Sequence, residues 1–578
     1  MRKLLLLIFV ICLQKINAQS WQWSYSFGCY NDSAYGLGIT HDAQNNCIIT
    51  GQFWETIDFD PGPFSTILGG PYAGSAQVAK YDPSGNLIWG FALSNPGAGF
   101  AEGDAVCTDA AGNIFVTGRF FGTIDFDPGA STHSLTASNA HNGDIFVAKY
   151  DANANYLWAH NYGGNGNYWN GSNSVATDKN GNVFVSGNFQ GTCDFNPGSG
   201  VNSISSVSYL DAFLAKYDAS GNYLWAFNIP GTTSSYQRVQ GLSVDSAGNA
   251  YLSGYLQSAA DFDPGAGTHT LSPTGYEDIF LAKYTAAGNY AWAFHIGSVN
   301  HGAQALSSAA DASGNVFLTG FFRGTDDFNP GAATNYLAAH SSYGDIFLAK
   351  YDSAGNYLWA HNMGSAGTNE DFGFGVSTDG SNAFITGCFG GVADFDPGAG
   401  TQNLASLSAS DIFLASYDGA GNYRWAFNLG SPSSGSTYYG NMGYNITANK
   451  TGDVWLTGWI QGSGTDMDPN SGVYNLDVQP GEQDILMAKY STTPTGIKEQ
   501  SLKAGTLSLY PNPARGKVTV SHTEEILLLE VNDAIGNLAY SAKPGTKEFS
   551  FSLDNEGVYF VTVRSASGSA TKKLVVEK

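Results

Sequence analysis

Positive charge is scarce in this sequence. Lysine and arginine together account for 25 of the 578 residues, against 49 aspartates and glutamates, and the formal net charge is −24 at pH 7. Residues 19–491 hold only 12 of these cations against 40 of the acids. Nucleic acids are bound mainly through phosphate neutralisation by lysine and arginine, so nucleic acid is excluded as a partner. Such a surface suits a divalent cation or a soluble extracellular protein.

Sustained helical periodicity and long apolar runs are also absent. Glycine at 73 residues, aromatics at 14% and charged residues at 13% are typical of many short strands joined by turns. An apolar run over residues 4–13 follows Arg2 and Lys3, and it predicts a secretory signal peptide over residues 1–18, cleaved after Ala18. No later segment reaches the 18 apolar residues of a membrane span, so the mature protein is expected to be soluble and not membrane-spanning.

Cysteine is rare, and the familiar catalytic motifs are missing. Beyond the leader there are five cysteines, Cys29, Cys47, Cys107, Cys193 and Cys388, an odd number at unrelated positions. They form no disulfide framework; a Cys29–Cys47 bridge and five small buried thiols are the two alternatives. The sequence has no His-Glu-x-x-His motif, nucleophile elbow, phosphate-binding loop or Cys-x-x-Cys pair. No catalytic residue is therefore assigned.

What the chain has in abundance is repetition. The string Asp-Phe-Asp-Pro-Gly begins at Asp58, Asp125, Asp261 and Asp394, has Asn in third place from Asp194 and Asp327, and degenerates at Asp466. Successive copies begin 66 to 72 residues apart. A fixed period of this length is the signature of stacked structural repeats. The sequence therefore predicts seven equivalent units over residues 19–490.

Each unit carries two hairpin signals of one kind. A strand-like run ends at Asp178, turns through Gly181 and Asn182, and returns as a second run, and the same pattern recurs from Asp218. Gly and Asn supply the left-handed backbone of the turn, and the Asp side chain caps it. Two hairpins make four strands, which is one blade of a β-propeller. The fold class is therefore all-β, a seven-bladed β-propeller followed by a second small β domain.

The two ends of the repeat region predict how the ring closes. Six copies end in a Trp strand, at Trp89, Trp158, Trp225, Trp292, Trp359 and Trp425. The seventh stops at Lys489 without one, and the missing strand lies at the N-terminus, where Trp23 precedes Gly28 at the interval seen elsewhere. Pairing that strand with the Lys489 strand closes the ring and removes both open edges. Both faces of the Trp strands, including that of Leu224, are expected to be buried.

The repeats resemble the bacterial β-propeller repeats called SBBP. The resemblance lies in Asp211-Ala-Phe-Leu-Ala-Lys216 and its partners, together with the Gly-Asn turns, and it covers roughly residues 19–490. The Asp-Phe-Asp-Pro-Gly element departs from the commonest SBBP pattern. The resemblance thus implies the fold and no activity.

The C-terminal segment has a different composition. A linker over residues 491–505 leads into residues 506–578, whose short strand-like runs predict a small β-sandwich. This segment resembles the type A sorting domain of the type IX secretion system in Leu509-Tyr-Pro-Asn-Pro513, Gly557–Val563 and Lys573–Lys578. The resemblance implies that residues 506–578 bind the type IX machinery. It also implies a secreted protein, extracellular or at the cell surface, released or attached there.

The Asp-Phe-Asp-Pro-Gly loops are the candidate metal ligands. Two carboxylates spaced two residues apart in an extended segment face one way, as the oxygen ligands of calcium do. The candidates are Asp58, Asp60, Asp125, Asp127, Asp194, Asp261, Asp263, Asp394 and Asp396. The alternative is a turn with an apolar plug, in which Pro and Gly take the two central positions. Calcium is the one cofactor considered.

Repeated lysines and two histidines are assigned to packing. Lysine recurs at Lys80, Lys149, Lys216, Lys283, Lys350 and Lys489, and Ser416 breaks the series. A structural ion pair is predicted, with a carboxylate such as Asp144 or Asp58. His160 and His361 stand where other copies have Phe or Tyr, and they are interpreted as core rings.

Two function classes remain. The first is a binding, adhesion or scaffold module for an extracellular glycan or protein, with contacts in the long loops such as residues 161–173 and 430–444. The second is an enzyme acting on polysaccharides or peptides, with its site over the propeller channel. A glycosidase or lyase would need acids that stand out from the repeat, and nearly every acid is repeated. The first class is therefore favoured.

Overall fold

The computed structural model describes residues 19–491 and 507–577, and these are divided between two compact units, Met1–Pro494 and Thr495–Lys578. Within those ranges the undescribed positions are 30–31, 63, 70–73, 95–98, 139–142, 165, 167–170, 233, 368, 433–439, 471, 477, 479–482, 534–537, 554 and 566–567. The predicted signal peptide and nearly all of the predicted linker lie outside the described residues. Among the described residues, no helix has the length and apolar character needed to cross a membrane.

The described part of the first unit contains 42 strands. Those of the N-terminal half are β1 (Ser20–Phe27), β2 (Ala34–His41), β3 (Cys47–Phe53), β4 (Thr56–Asp58), β5 (Ile67–Gly69), β6 (Ser75–Tyr81), β7 (Leu87–Leu93), β8 (Phe100–Thr108), β9 (Ile114–Phe121), β10 (Thr123–Asp125), β11 (Ser134–Thr136), β12 (Asp144–Tyr150), β13 (Tyr156–Tyr162), β14 (Gly171–Thr177), β15 (Val183–Phe189), β16 (Thr192–Asp194), β17 (Ser203–Ser205), β18 (Asp211–Tyr217) and β19 (Tyr223–Ile229). Those that follow are β20 (Gln237–Val244), β21 (Ala250–Leu256), β22 (Ala260–Asp261), β23 (Thr270–Leu271), β24 (Asp278–Tyr284), β25 (Tyr290–Ile296), β26 (Ala303–Ala310), β27 (Val316–Phe322), β28 (Thr325–Asp327), β29 (Tyr336–Ala338), β30 (Asp345–Tyr351), β31 (Tyr357–Met363), β32 (Phe372–Thr378), β33 (Asn382–Phe389), β34 (Val392–Asp394), β35 (Asn403–Ala405), β36 (Asp411–Asp418), β37 (Tyr423–Leu429), β38 (Met442–Ala448), β39 (Val454–Gln461), β40 (Thr465–Asp466), β41 (Asn475–Leu476) and β42 (Gln483–Ser491).

These strands form seven four-stranded antiparallel sheets, the blades of a β-propeller. In blade 1 the order from the axis outward is β2, β3, β6 and β7, which we call strands a to d, and the next five blades repeat it. Strand a of each blade contacts strand a of the next, and β38 of blade 7 contacts β2 of blade 1. The ring is closed, as predicted.

Closure depends on one pairing between the two ends of the repeat region. Blade 7 has the order β38, β39, β42 and β1, so its outer strand comes from the N-terminus. Trp23 pairs with Lys489, as predicted, and Phe27 pairs with Ile485. The interval from Trp23 to Gly28 also has a physical reason, because a Cβ at Gly28 would overlap the carboxylate of Asp484.

The turns between strands a and b, and between c and d, form as their sequence predicts. Asp178 Oδ1 accepts hydrogen bonds from the backbone N–H groups of Asn180 (2.9 Å) and Asn182 (3.1 Å). Gly181 has a φ of 75°, which favours glycine. Burial raises the pKa of Asp178, but the bonds from Asn182 and Asn180 and the ion pair with Lys216 bring it below its ordinary value.

Each blade has a third hairpin that the strand pattern does not predict. The Asp-Phe-Asp-Pro-Gly segment lies between strands b and c and forms a two-stranded sheet, such as β4 with β5. Its Phe59 ring is buried, and the Tyr81 hydroxyl donates to the Phe59 carbonyl at 3.0 Å. The returning strand contacts strand d, as β11 does β13. The hairpin therefore packs against the outer strand of its blade.

Apolar cores lie between successive blades. Strands b and c are buried on both faces, because each blade is packed between two neighbours. The expectation that both faces of the outer strand are buried is wrong, since Leu224 is 46% exposed on the face opposite Trp225. Blades diverge with distance from the axis, which leaves that face to solvent. All five described cysteines are free, so there is no Cys29–Cys47 bridge.

The repeated lysines connect each blade to the next. Their ammonium groups are buried or nearly so, and each donates to a backbone carbonyl in the c–d turn of the following blade at 2.8 to 3.3 Å. The pairs are Lys80 with Ala152, Lys149 with Ala219, Lys216 with Ala286, Lys283 with Ser353, Lys350 with Gly419 and Lys489 with Pro83. The last pair spans the closure.

The predicted ion pair is present, but the predicted partners are wrong. Five of the six lysines pair with an Asp of the a–b turn within 4 Å, as Lys80 does with Asp42 at 2.9 Å and Lys216 with Asp178 at 3.2 Å. Asp144 lies at the other end of strand c from Lys149. At 3.3 Å per residue the two residues are about 17 Å apart. Asp144 instead accepts hydrogen bonds from the backbone N–H and the hydroxyl group of Ser138.

The exception at Ser416 has a structural cause. A lysine there, in blade 6, would need a carbonyl in the c–d turn of blade 7. Blade 7 has no such turn, because its strand c ends at Ser491 and its strand d begins at Ser20, at the opposite end of the repeat region. The lysine is therefore missing at the one interface that lacks its acceptor.

The second unit is a two-sheet β domain. Its strands are β43 (Ser508–Tyr510), β44 (Lys517–Ile526), β45 (Leu528–Asp533), β46 (Leu538–Ala542), β47 (Thr546–Ser552), β48 (Gly557–Ser565) and β49 (Gly568–Val576). One sheet has the order β43, β44 and β47, and the other β46, β45, β48 and β49. Side chains of both sheets, including Val520 and Val561, share one core.

We expect the closing strand to be essential for stability. Deleting residues 19–28 removes β1 and exposes the edge beside Lys489, so the melting temperature should fall sharply or the protein should aggregate. Deleting residues 507–578, which belong to the other unit, is the control and should leave the propeller transition in place. An unchanged melting temperature without residues 19–28 would contradict the closure.

The contribution of the buried lysines to stability is tested by the substitution Lys216→Met. The free energy of unfolding is measured by urea denaturation. The variant should lose about 3 kcal/mol, because it removes one partner of a buried ion pair. Lys179→Met is the matched control, since Lys179 is exposed in the neighbouring a–b turn and should change stability by less than about 0.5 kcal/mol. Equal effects of the two substitutions would show that the buried connection contributes nothing.

Candidate functional site

The candidate calcium ligands lie in the third hairpins, where their Oδ1 atoms bind the backbone. Asp58 Oδ1 accepts from the N–H groups of Asp60 (3.1 Å) and Thr66 (2.8 Å), and Asp60 Oδ1 accepts from Gly62 N–H (2.7 Å). The equivalent bonds recur in the other hairpins, at Asp125 and Asp127, Asp194, Asp261 and Asp263, and Asp394 and Asp396. This is the geometry of the turn alternative.

The structure does not bring the candidate ligands of different blades together. Each pair lies in the hairpin between strands b and c of its own blade. Over the described part of the chain, no three His, Cys, Asp or Glu side chains are grouped closely enough to hold a metal ion. Calcium binding in these hairpins stays a prediction.

The two histidines lie in the blade interfaces, as predicted. His160 stacks on Trp158 with ring centroids 4.8 Å apart, and His361 stacks on Trp359 at 5.0 Å. Burial lowers the pKa of both imidazoles below the ordinary value. They are therefore neutral packing residues at pH 7.

A cavity of about 600 Å³ lies in the central channel and is lined by the strands a. In every blade the pairing of strands a and b shifts register by one residue, and the extra residue forms a β-bulge. The seven bulge residues are Leu37, Asp104, Asn173, Gln240, Leu306, Phe374 and Tyr444. All seven line the cavity, and all are partly exposed. Bulges re-aim a side chain, and here they direct one per blade into the channel.

The bulge residues differ between blades although the scaffold repeats. One side of the channel, which we call the polar arc, consists of Glu102, Asp104, Arg119, Asn173 and Gln240. Arg119 donates to Glu102 Oε2 from Nε and Nη2, each at 2.6 Å. Asn173 Nδ2 donates to Gln240 Oε1 at 3.0 Å. Burial and the nearby Glu102 raise the pKa of Asp104 well above its ordinary value, and Arg119 opposes the shift.

The other side of the channel is aromatic. The aromatic arc is a chain of neighbouring rings, of which Phe321, Phe372, Phe374 and Tyr444 line the cavity. The chain continues beyond the cavity lining through Trp459, Tyr35 and Trp54. Centroid separations are 5.4 Å between Phe374 and Tyr444 and 5.6 Å between Tyr444 and Trp459. Burial, and then Asp104 and Glu102, raise the pKa of Tyr444 to about 12.

The repeat pattern does not point to this site, because the site consists of the residues that break the repeat. Glu102 and Asp104 are the acids that the enzyme alternative called for, since no other blade has an acid at either position. An alignment of the seven repeats shows which positions vary next to the Gly and Ser of strand a, and these positions include Glu102 and Asp104. The bulge itself has no sequence signal, so their direction into the channel was not predictable. Of the predicted contact loops, residues 165, 167–170 and 433–439 lie outside the described residues.

A family model for the secretion system C-terminal sorting domain matches residues 508–577. The chain therefore carries a type IX sorting signal, as Leu509–Pro513 and Gly557–Val563 suggested, and it is secreted to the cell surface or the extracellular space. The sorting domain thereby implies contact with the type IX secretion machinery.

The propeller is similar in sequence to a WD-repeat-containing protein of Acanthamoeba polyphaga mimivirus, at 25% identity over 421 residues. The match covers 61% of this chain and 29% of the viral protein, so it spans less than a third of that relative. Similar solved structures include regucalcin, a calcium-binding protein from Agrobacterium tumefaciens, at 10% identity and a TM-score of 0.27, covering 63% of this chain and 85% of regucalcin. Another is PorZ, a surface component of the type IX secretion system of Porphyromonas gingivalis, at 11% identity and a TM-score of 0.16, covering 96% of this chain and all of PorZ.

The calcium alternative is tested by Asp125→Ala combined with Asp127→Ala. If these residues only shape the turn, the variant should lose about 1 kcal/mol for each lost hydrogen bond, equally with and without calcium. Thermal melting of wild type and variant, with millimolar calcium or with chelator, measures this. A wild-type melting temperature that rises by several degrees with calcium would instead support the metal site, because a ligand of the native state stabilises it.

Proposed function

We propose that this protein is an extracellular binding module whose ligand enters the central channel of an SBBP-type propeller. In this proposal residues 1–18 are a signal peptide, residues 491–505 link the propeller to the sorting domain, and the type IX machinery exports the chain. The scaffold function of the repeats is then to hold seven side chains, of six kinds, around one cavity.

One observation carries the proposal. The interfaces, turns and third hairpins recur from blade to blade, whereas the bulge positions hold Leu, Asp, Asn, Gln, Leu, Phe and Tyr in turn. Packing alone would be satisfied by one residue type in seven equivalent environments. Variation at the wall of a cavity of ligand size, on a scaffold whose interfaces and turns recur, is what a binding site requires.

The enzyme alternative has one specific observation in its favour. Glu102 and Asp104 are non-repeated acids in the channel wall, and the pKa of Asp104 is raised by burial and by Glu102. Perturbed carboxyl groups in a cavity are typical of acid–base catalysis. Glu102 and Asp104 are two residues apart on one strand, however, so they lie on the same wall of the channel, whereas glycoside hydrolysis needs two carboxyl groups that flank the scissile bond. Binding without turnover is therefore the better-supported function.

The proposal is tested with Leu306→Trp, which fills the channel from a bulge position outside both arcs. Full-length protein is passed over immobilised extracellular polysaccharides and proteins, and bound mass and released products are measured. We expect binding to at least one polymer, a loss of at least about tenfold in Leu306→Trp, and no products. Tyr336→Ala, in the third hairpin of the same blade and 63% exposed, is the control and should bind normally. Binding that is unchanged in Leu306→Trp would exclude the channel as the binding site. Release of products would favour the enzyme alternative.

A further inference from the structure

The two sides of the channel have opposite chemistries. Rings of the aromatic arc from blades 5, 6 and 7 face carboxylate and amide groups of the polar arc from blades 2, 3 and 4. We propose that the channel binds the end of a neutral saccharide chain, with a sugar ring packed on the aromatic arc and its hydroxyl groups bonded to the polar arc. This inference rests on the binding function proposed above.

The aromatic arc offers an apolar surface that the scaffold does not need. At the bulge position Phe374 and Tyr444 stand where blades 2 to 4 have Asp104, Asn173 and Gln240. Phe374 and Tyr444 stack with an interplanar angle of 21° and are both partly exposed in the cavity. Large, rigid rings bury much apolar area with little loss of side-chain freedom. One face of a sugar ring consists of C–H groups and matches such a surface.

The polar arc offers hydrogen bonds of both directions. A carboxyl group and a primary amide accept and donate, which is what hydroxyl groups require. Gln240 Oε1 accepts from Asn173, and this bond orients the Gln240 amide within the wall of the cavity. Asp104 holds its proton to a higher pH than an ordinary carboxyl group, so it can donate as well as accept. A site built to hydrogen-bond hydroxyl groups rejects ligands that lack them.

Charge excludes the anionic alternatives. Arg119 is the one cation among the described residues that line the cavity, and it is already paired with Glu102 at 2.6 Å. Phosphate, sulfate and uronate groups would lie beside the Glu102 carboxylate without a free positive partner. The cavity of about 600 Å³ lies within the usual range for small-ligand sites, about 300 to 1,000 Å³, and so accommodates a chain end and not a long segment.

The repeat itself supplies variants that should fold. Asp104→Leu and Tyr444→Leu each install the residue that Leu37 and Leu306 already provide at the equivalent bulge, so the scaffold accommodates them. Tyr336→Ala on the outside of blade 5 is again the control. Circular dichroism and melting of each variant establish that it is folded. The probes are an array of neutral, acidic and amino-sugar oligosaccharides and an array of random peptides.

The expected result is binding of neutral oligosaccharides by the full-length wild type and by Tyr336→Ala. Tyr444→Leu should weaken that binding about tenfold, the order expected for one aromatic contact, and Asp104→Leu should weaken it by a similar factor. Peptide binding that both channel variants abolish would overturn the saccharide assignment and leave the channel as a binding site. Preference for acidic sugars would overturn the assignment to neutral saccharides and would also leave the channel as a binding site. Saccharide binding unaffected by either variant, or no binding to any probe, would overturn both the inference and the proposed function.

Discussion

The structure depends on closing a ring of sheets whose blades are stable only between two neighbours. Strands b and c are apolar on both faces, so any blade without a neighbour would expose half of its core. A single β pairing, Trp23 with Lys489 and its continuation to Phe27 with Ile485, gives the last blade its outer strand and holds the first and last repeats together. The lysine connection repeats the same principle at each interface, because every cation needs a carbonyl from the next blade. Blade 6, which faces a blade without a c–d turn, has Ser416 in its place.

Repetition explains how this scaffold also carries an asymmetric channel. Packing and turn capping are met by residues that recur with each repeat: the turn aspartates, the buried phenylalanine of the third hairpin and the tryptophan of strand d. The bulge in strand a takes one residue per blade out of the ladder and turns it toward the axis. Since that residue lies outside the backbone pairing of strands a and b, its identity varies without changing the ladder. Seven such positions gather polar groups on one side of the cavity and aromatic rings on the other.

The Asp-Phe-Asp-Pro-Gly element shows how a conspicuous motif can serve the scaffold. Its first aspartate accepts two backbone N–H groups, its phenylalanine fills the blade, and its return strand packs against strand d. By contrast, Glu102 and Asp104 belong to no motif, and they lie in the cavity wall. In this repeat protein the recurring residues form the scaffold, and the residues that differ between repeats form the candidate binding site.

The sequence by itself determined the number of blades, the strand that closes the ring, the turn chemistry and the sorting domain. These follow from local signals, namely a fixed period, Asp-x-x-Gly-Asn turns and the Trp-to-Gly interval, which act over a few residues and recur. The tertiary structure decided the partner of each lysine, the exposure of Leu224 and the direction of the bulge residues. Each of these depends on contacts between blades about 70 residues apart or on distance from the propeller axis, and no pattern within one repeat contains that information.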